Sequence, residues 1–192
     1  MNTYYIFNKP RGCVSARRDA LHMTVMDYFP DYMKNSFSPV GRLDIDTVGL
    51  LIVTDDGKFI HKMTDPQFEK EKEYYFWAFG NPDTEKIKGL ENGTVLPGKG
   101  IITRPCKLEI LERSKVKFAQ EYMDPKLRAG FMKNPEGNVF CGKIIIHEGK
   151  KHQVKRMIKT LGCHIFYLKR MREGKIVLPD DLPEGAYIKF TQ

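Results

Sequence analysis

The densest chemistry in the chain lies in Gly41-Arg42-Leu43-Asp44-Ile45-Asp46-Thr47-Val48-Gly49-Leu50. Two carboxylates and a guanidinium stand between glycines, directly ahead of the apolar run Leu50-Leu51-Ile52-Val53. A polar turn that feeds a buried strand presents its side chains on rigid support, where site chemistry is usually found. An aspartate beside a cation is ionised at neutral pH and can serve as base or nucleophile. Either Asp44 or Asp46 can instead bond its own backbone, the ordinary work of aspartate in a turn. The residues alone leave both readings open.

Other catalytic layouts are missing from the sequence. It has no G-x-S-x-G elbow, no G-x-x-x-x-G-K-[ST] phosphate loop and no H-E-x-x-H helix. Cys13, Cys106, Cys141 and Cys163 form no C-x-x-C pair, and His147 and His152 are separated by Lys150 and Lys151. That is a poor setting for a cation, so no metal site is expected, and the scattered cysteines read as small core residues.

Cations gather in two further places. Lys9-Pro10-Arg11-Gly12 is a turn carrying Lys9 and Arg11. Residues 150–161 read as the strongest helix, with Val154, Met157, Ile158 and Leu161 forming one apolar stripe. Its remaining faces carry Lys150, Lys151, Lys155, Arg156 and Lys159, which suits phosphate contacts as well as a plain solvated face. Tyr74-Tyr75-Phe76-Trp77-Ala78-Phe79 is the most aromatic stretch. Such rings can stack on bases, yet strand aromatics are more often core. Alternation puts Tyr74, Phe76 and Ala78 on one face and Tyr75, Trp77 and Phe79 on the other, one of them core.

Strands are expected near residues 3–8, 50–54, 74–79, 139–147, 163–169, 174–178 and 186–190, with two or three short ones within 94–112. Short helices are expected over 24–29, 58–63 and 83–91, ahead of the one at 150–161. Residues 31–40 read as irregular. Over 114–138 no period persists, and the span reads as an insertion or mobile loop with one helical turn. Many strands joined by short turns, with helices appearing singly, imply an α+β fold with a mixed, mostly antiparallel sheet and flanking helices. No linker divides the chain, so one domain over 1–192 is expected, with room for two closely packed subdomains.

The composition is that of a globular protein, 41% hydrophobic and 29% charged. No apolar run approaches the roughly 20 residues that cross a bilayer, and the N-terminus lacks a signal-peptide layout. A cytoplasmic monomer is expected. The net charge of +8, from 32 basic and 24 acidic residues, favours a polyanionic partner, nucleic acid above all.

Taken together, the motifs resemble the RsuA-type family of pseudouridine synthases. The Gly41–Leu51 stretch with Thr54-Asp55-Asp56-Gly57 resembles the family signature, and Asn8-Lys9-Pro10-Arg11-Gly12 its K-P-x-G turn. Lys72-Glu73-Tyr74 resembles its K-x-Y strand start. Glu148-Gly149-Lys150-Lys151-His152-Gln153-Val154-Lys155-Arg156-Met157, continuing to Leu168-Lys169-Arg170 and Gly174, resembles its C-terminal block. The match runs in order over about residues 3–190, weakly over 114–138.

The resemblance implies the pseudouridine synthase fold and a cofactor-free, metal-free isomerisation of uridine in RNA, with small-subunit ribosomal RNA the expected target. That RNA could be met within an assembling subunit. Asp44 matches the aspartate acting at the ribose of a flipped-out uridine, Tyr74 the tyrosine that stacks on the uracil, and Lys155 the basic partner of the aspartate. Arg42 is expected to contact RNA or fill the gap left by the flipped base, with Asp46 supporting the turn. Lys9, Arg11, Lys151 and Arg156 are expected at RNA phosphates. The K-P-x-G turn begins at residue 9, so the small N-terminal RNA-binding domain common in the family is expected to be missing. The alternatives are large-subunit ribosomal RNA or transfer RNA as substrate, or a non-catalytic RNA-binding or ribosome-assembly module on the same fold.

Overall fold

The structure is a computed structural model describing residues 2–98 and 100–191. The chain divides into two compact units, Met1–Lys72 with Lys169–Gln192, and Glu73–Leu168. Strand pairing in both is mostly antiparallel, with single helices between strands, which is the expected α+β class.

The first unit is organised by β3, Val48–Thr54, every residue of which is buried. Strand β1, Tyr4–Lys9, runs antiparallel to β3 from Tyr4 opposite Thr54 to Lys9 opposite Gly49. On the other side β3 has two partners. Its C-terminal half meets β2, Ser38–Val40, and its first two residues run parallel to Lys169 and Arg170 of β9, His164–Glu173. The last strand, β11, Tyr187–Phe190, pairs with β1, and β10, Ile176–Val177, with β9.

The apolar run at 50–53 is buried because both faces of β3 are covered. Leu50 and Ile52 join Ile6, Val40, Leu178, Leu182 and the inner face of helix α1, Gly57–Thr64, through Phe59 and Met63. On the opposite face, β1 sends Tyr5 and Phe7 against Phe29, whose ring stacks 4.2 Å from Tyr187. Helix α1 starts where the sequence indicates, because the Asp56 carboxylate accepts the Lys58 and Phe59 N–H groups.

In the second unit β4, Lys72–Phe79, β8, Asn138–Ile146, and β7, Lys107–Lys115, lie in that order. Helix α2, Thr84–Glu91, is capped by Asp83. The strands β5, Val95–Leu96, and β6, Ile101–Ile102, form a separate hairpin.

Several expectations change. Residues 31–40 are not wholly irregular, since β2 ends the stretch. The helix expected over 24–29 is a single 3-10 turn, Val25–Tyr28, closed by a Thr24–Asp27 capping box. Residues 116–132 hold two 3-10 turns and the short helix α3, Arg128–Phe131. Val116, Ala119 and Met123 from this segment are buried around Trp77, and Tyr122 stacks on its indole at 5.1 Å. The span is broken into separate short turns, so no single period runs through it, though its inward side chains are enough to cover a strand face. The same segment explains why the middle of β4 is closed on both faces. Trp77 is covered there, while Phe76 meets Phe140 edge-on at 5.7 Å on the other side. At Phe76 and Trp77 the strand is therefore core on both faces, so these two rings are not a platform for bases.

Candidate active site

The turn of residues 41–47 leaves β2 and enters β3, so neither ladder supports it. Arg42 and Asp46 are exposed, Asp44 is half-buried, and Leu43 and Thr47 are buried. Leu43 and Thr47 thus anchor the turn in the core, while the arginine and both carboxylates lie on its outer positions. The backbone is held internally by the Thr47 N–H donating to the Asp44 carbonyl at 3.1 Å. Residues 9–15 hold it from outside. The Gly12 N–H donates to the Ile45 carbonyl at 2.7 Å, and Lys9 Nζ donates to the Thr47 carbonyl at 3.0 Å and the Ile45 carbonyl at 3.4 Å.

Lys9 is the main correction among the expected RNA contacts. Its side chain is fully buried, and its third N–H goes to the Pro10 carbonyl at 2.9 Å. Every donor of the ammonium is directed at backbone, which leaves none for a phosphate. Burial lowers the Lys9 pKa, while the charges of Cys13, Asp46 and Asp44 act in the opposite direction. The lysine pins the Asp44 turn from beneath and places a cation close to its carboxylates. Replacing it with methionine keeps the bulk and removes the ammonium from three carbonyls, of which Ile45 keeps the Gly12 N–H, so a loss of about 2–3 kcal/mol in urea unfolding is expected. RNA affinity of the folded Lys9→Met protein should keep its salt slope, whereas loss of a true phosphate contact would lower that slope by about 1.

Arg11 is half-buried and Arg42 exposed, both in the first unit. Tyr74, Lys151, Lys155 and Arg156 belong to the second. Tyr74 is the third residue of β4 and is 8% exposed. Helix α4 spans Gln153–Thr160, shorter than the 150–161 expected, because Lys150–His152 form a turn. His152 takes a left-handed conformation there, with φ 52°. The apolar stripe Val154, Met157, Ile158 and Leu161 is buried as expected. Lys155 is half-buried on the helix, and Lys151 is exposed. Arg156 is half-buried and donates to the Pro97 carbonyl at 2.6 Å, tying the β5–β6 hairpin to α4.

Two residues that set the start of α4 escape a reading by motif. Gln153 is buried, accepting the Lys150 N–H at 2.9 Å and donating to Glu148 at 2.7 Å. Glu148 also accepts the Arg104 N–H at 3.0 Å and the Lys150 ammonium. Burial pushes the Glu148 carboxyl up, but the Lys150, Arg104 and Gln153 donors outweigh it and hold it below the usual range. One signal was available: Gln153 extends the apolar stripe four residues before Met157, and a polar side chain on a buried stripe must have partners.

Among the described residues no group of three His, Cys, Asp or Glu is placed to hold a metal ion. No helix among them is long and apolar enough to cross a membrane.

Comparison with known proteins places the sequence and the fold. The family described as RNA pseudouridylate synthase matches residues 3–160. Ribosomal small subunit pseudouridine synthase A of Haemophilus influenzae is 32% identical over 189 residues, covering 98% of this chain and 70% of that protein. An uncharacterized RNA pseudouridine synthase of Bacillus subtilis is 34% identical over 190 residues, with the same coverage. The crystal structure of a pseudouridylate synthase superposes with a TM-score of 0.78 at 32% identity, over all of this chain and 71% of that one. With a matched signature, fold and near-complete alignment, the chain belongs to the RNA pseudouridylate synthase family.

Proposed function

We propose that the protein isomerises a uridine of small-subunit ribosomal RNA to pseudouridine, with Asp44 as the reacting carboxylate. The observation that carries the role of Asp44 is the turn itself. Its backbone is tied down on the C-terminal side of Asp44 by Lys9 and Gly12, yet the position itself reaches the surface between exposed Arg42 and Asp46. The substrate class is supported by the small-subunit synthase aligned over 98% of the chain.

The reaction conserves atoms and electrons. The bond between ribose C1′ and uracil N1 breaks, a bond between C1′ and C5 forms, and the C5 proton is released as N1 gains one. Asp44 acts at the ribose, either by adding to C1′ or by removing a ribose proton to give a glycal. Tyr74 stacks on the uracil, Lys155 serves as the cation of Asp44, and Arg42 contacts RNA or occupies the space left by the flipped base. Arg11, Lys151 and Arg156 contribute to phosphate attraction; Arg156 does so while holding the hairpin. The protein acts as a cytoplasmic monomer on RNA that can lie within an assembling subunit.

The test is tritium release from RNA labelled at uracil C5. Small-subunit ribosomal RNA should release label, and large-subunit and transfer RNA should not. Release only from one of the latter would overturn the substrate assignment and leave the chemistry standing. Lys155→Ala should slow release by about 10²- to 10³-fold, the scale for removing one stabilising group from a reacting centre, and Lys155→Arg should retain most of it. Equal rates for Lys155→Ala and wild type would remove Lys155 from the site.

A further inference from the structure

Leu43, the residue before Asp44, is buried and lies between the end of β2 at Val40 and the start of β3 at Val48. Its backbone therefore has no ladder partner. One side chain takes that place: Ser15 Oγ accepts the Leu43 N–H at 3.0 Å and donates to the Leu43 carbonyl at 3.0 Å. A hydroxyl can do both at once because it carries a donor and two acceptor lone pairs. It acts here as a one-atom strand.

Ser15 is itself braced. The preceding residue, Val14, exchanges backbone hydrogen bonds with Met23 and Val25, each at 2.9 Å, and the Ala16 N–H returns to the Val14 carbonyl at 2.9 Å. Further along, Arg17 donates to the Lys34 and Asn35 carbonyls, and Arg18 to the Asn35 side chain at 2.7 Å. The support thus runs from a bonded loop through one hydroxyl into the peptide that precedes Asp44. Gly12 and Lys9 hold the peptide after it. Ser15 thus holds the backbone on the N-terminal side of Asp44, and its loss eases rotation about the Leu43–Asp44 backbone that shifts the carboxylate.

We propose that Ser15 is a positioning residue for Asp44, holding its backbone in the reactive orientation without touching substrate. The inference rests on Asp44 being the reacting carboxylate. A misplacement of about 1 Å costs up to ~10²-fold in rate, so the effect belongs to the chemical step and not to RNA affinity.

Single-turnover tritium release at saturating enzyme separates the two, because it is insensitive to a lost fraction of active protein. Ser15→Ala should slow it by roughly ten- to a hundredfold, with the Kd for the same RNA unchanged. Ser15→Thr, which keeps the hydroxyl, should restore the rate; Ser15→Cys, a weak donor, should restore little of it. Thermal melts of all three show whether folding is kept. A wild-type rate in Ser15→Ala overturns the inference, as does a slow rate that Ser15→Thr fails to restore while folded. Turnover by Asp44→Asn would instead overturn the underlying reading, whatever the serine variants do. The two failures are therefore distinguishable.

Discussion

Asp44→Asn is expected to abolish uridine isomerisation, with tritium release falling by about 10⁴-fold or more, the scale seen when the reacting group of a covalent or proton-transfer mechanism is removed. The substitution is close to isosteric and the position is only half-buried. Unfolding free energy should therefore stay within about 1 kcal/mol of wild type. RNA binding should survive, because phosphate contacts supply most of the affinity and removing a negative charge does not weaken them. Asp46→Asn is the matched control. Asp46 is exposed two residues further along the same turn, and its loss should leave most of the rate. If Asp44→Asn turns over while Asp46→Asn does not, the roles of the two carboxylates are reversed.

The second large effect concerns folding. Gly49 has φ +99°, and a Cβ added there would lie 2.3 Å from the Arg170 carbonyl oxygen and 2.9 Å from its nitrogen. Both obstructing atoms are backbone and belong to the parallel pairing of β3 with β9. Arg170 cannot retreat easily. It is 1% exposed, its Nε donates to the Leu50 carbonyl at 2.8 Å, and its guanidinium lies 3.2 Å from buried Glu173. Lys72 approaches the same carboxylate at 3.6 Å. Gly49→Ala should therefore combine left-handed backbone strain of about 1–3 kcal/mol with overpacking of about 1–3 kcal/mol. That sum is a large part of the ~5–15 kcal/mol that stabilises a typical domain. Urea unfolding and a fall in Tm of about 10 °C check it. A loss under about 1 kcal/mol would mean that β9 moves aside, and that the turn bearing Asp44 is less firmly seated than the geometry implies.

Both substitutions fall within the Gly41–Leu50 motif, whose local features are visible in the sequence. The G-R-L-D-I-D-T-V-G-L stretch, the buried strand after it, the helix starts near residues 58 and 83 and the α4 stripe were legible because each depends on neighbours within a few residues. Capping needs a carboxylate two or three positions before free N–H groups, and a buried stripe needs only the helical period. The order of four spaced motifs identified the family for a related reason: spacing along the chain is a property of sequence itself.

Charge was less informative. Lys9 and Arg11 look alike as cations in a surface turn, yet Lys9 is enclosed by three carbonyls and Arg11 is half-buried. Nothing local distinguishes them, because the enclosing carbonyls of Ile45 and Thr47 arrive from more than 30 residues away. Ser15 was unreadable on the same ground, since its partner Leu43 is 28 residues distant. The second face of the aromatic strand could not be assigned from sequence, because the residues that cover it come from short turns within 116–132, far along the chain.

The sequence by itself therefore determined the α+β class, the local caps and stripes, and membership of the RNA pseudouridylate synthase family. Only the tertiary structure decided which cations face solvent, which aromatic faces are closed, and what holds Asp44. The physical reason is one of range. Local hydrogen bonds and periodic burial are written in adjacent residues, whereas a backbone segment outside the ladders such as 41–47 must find its donors and acceptors wherever the fold brings them.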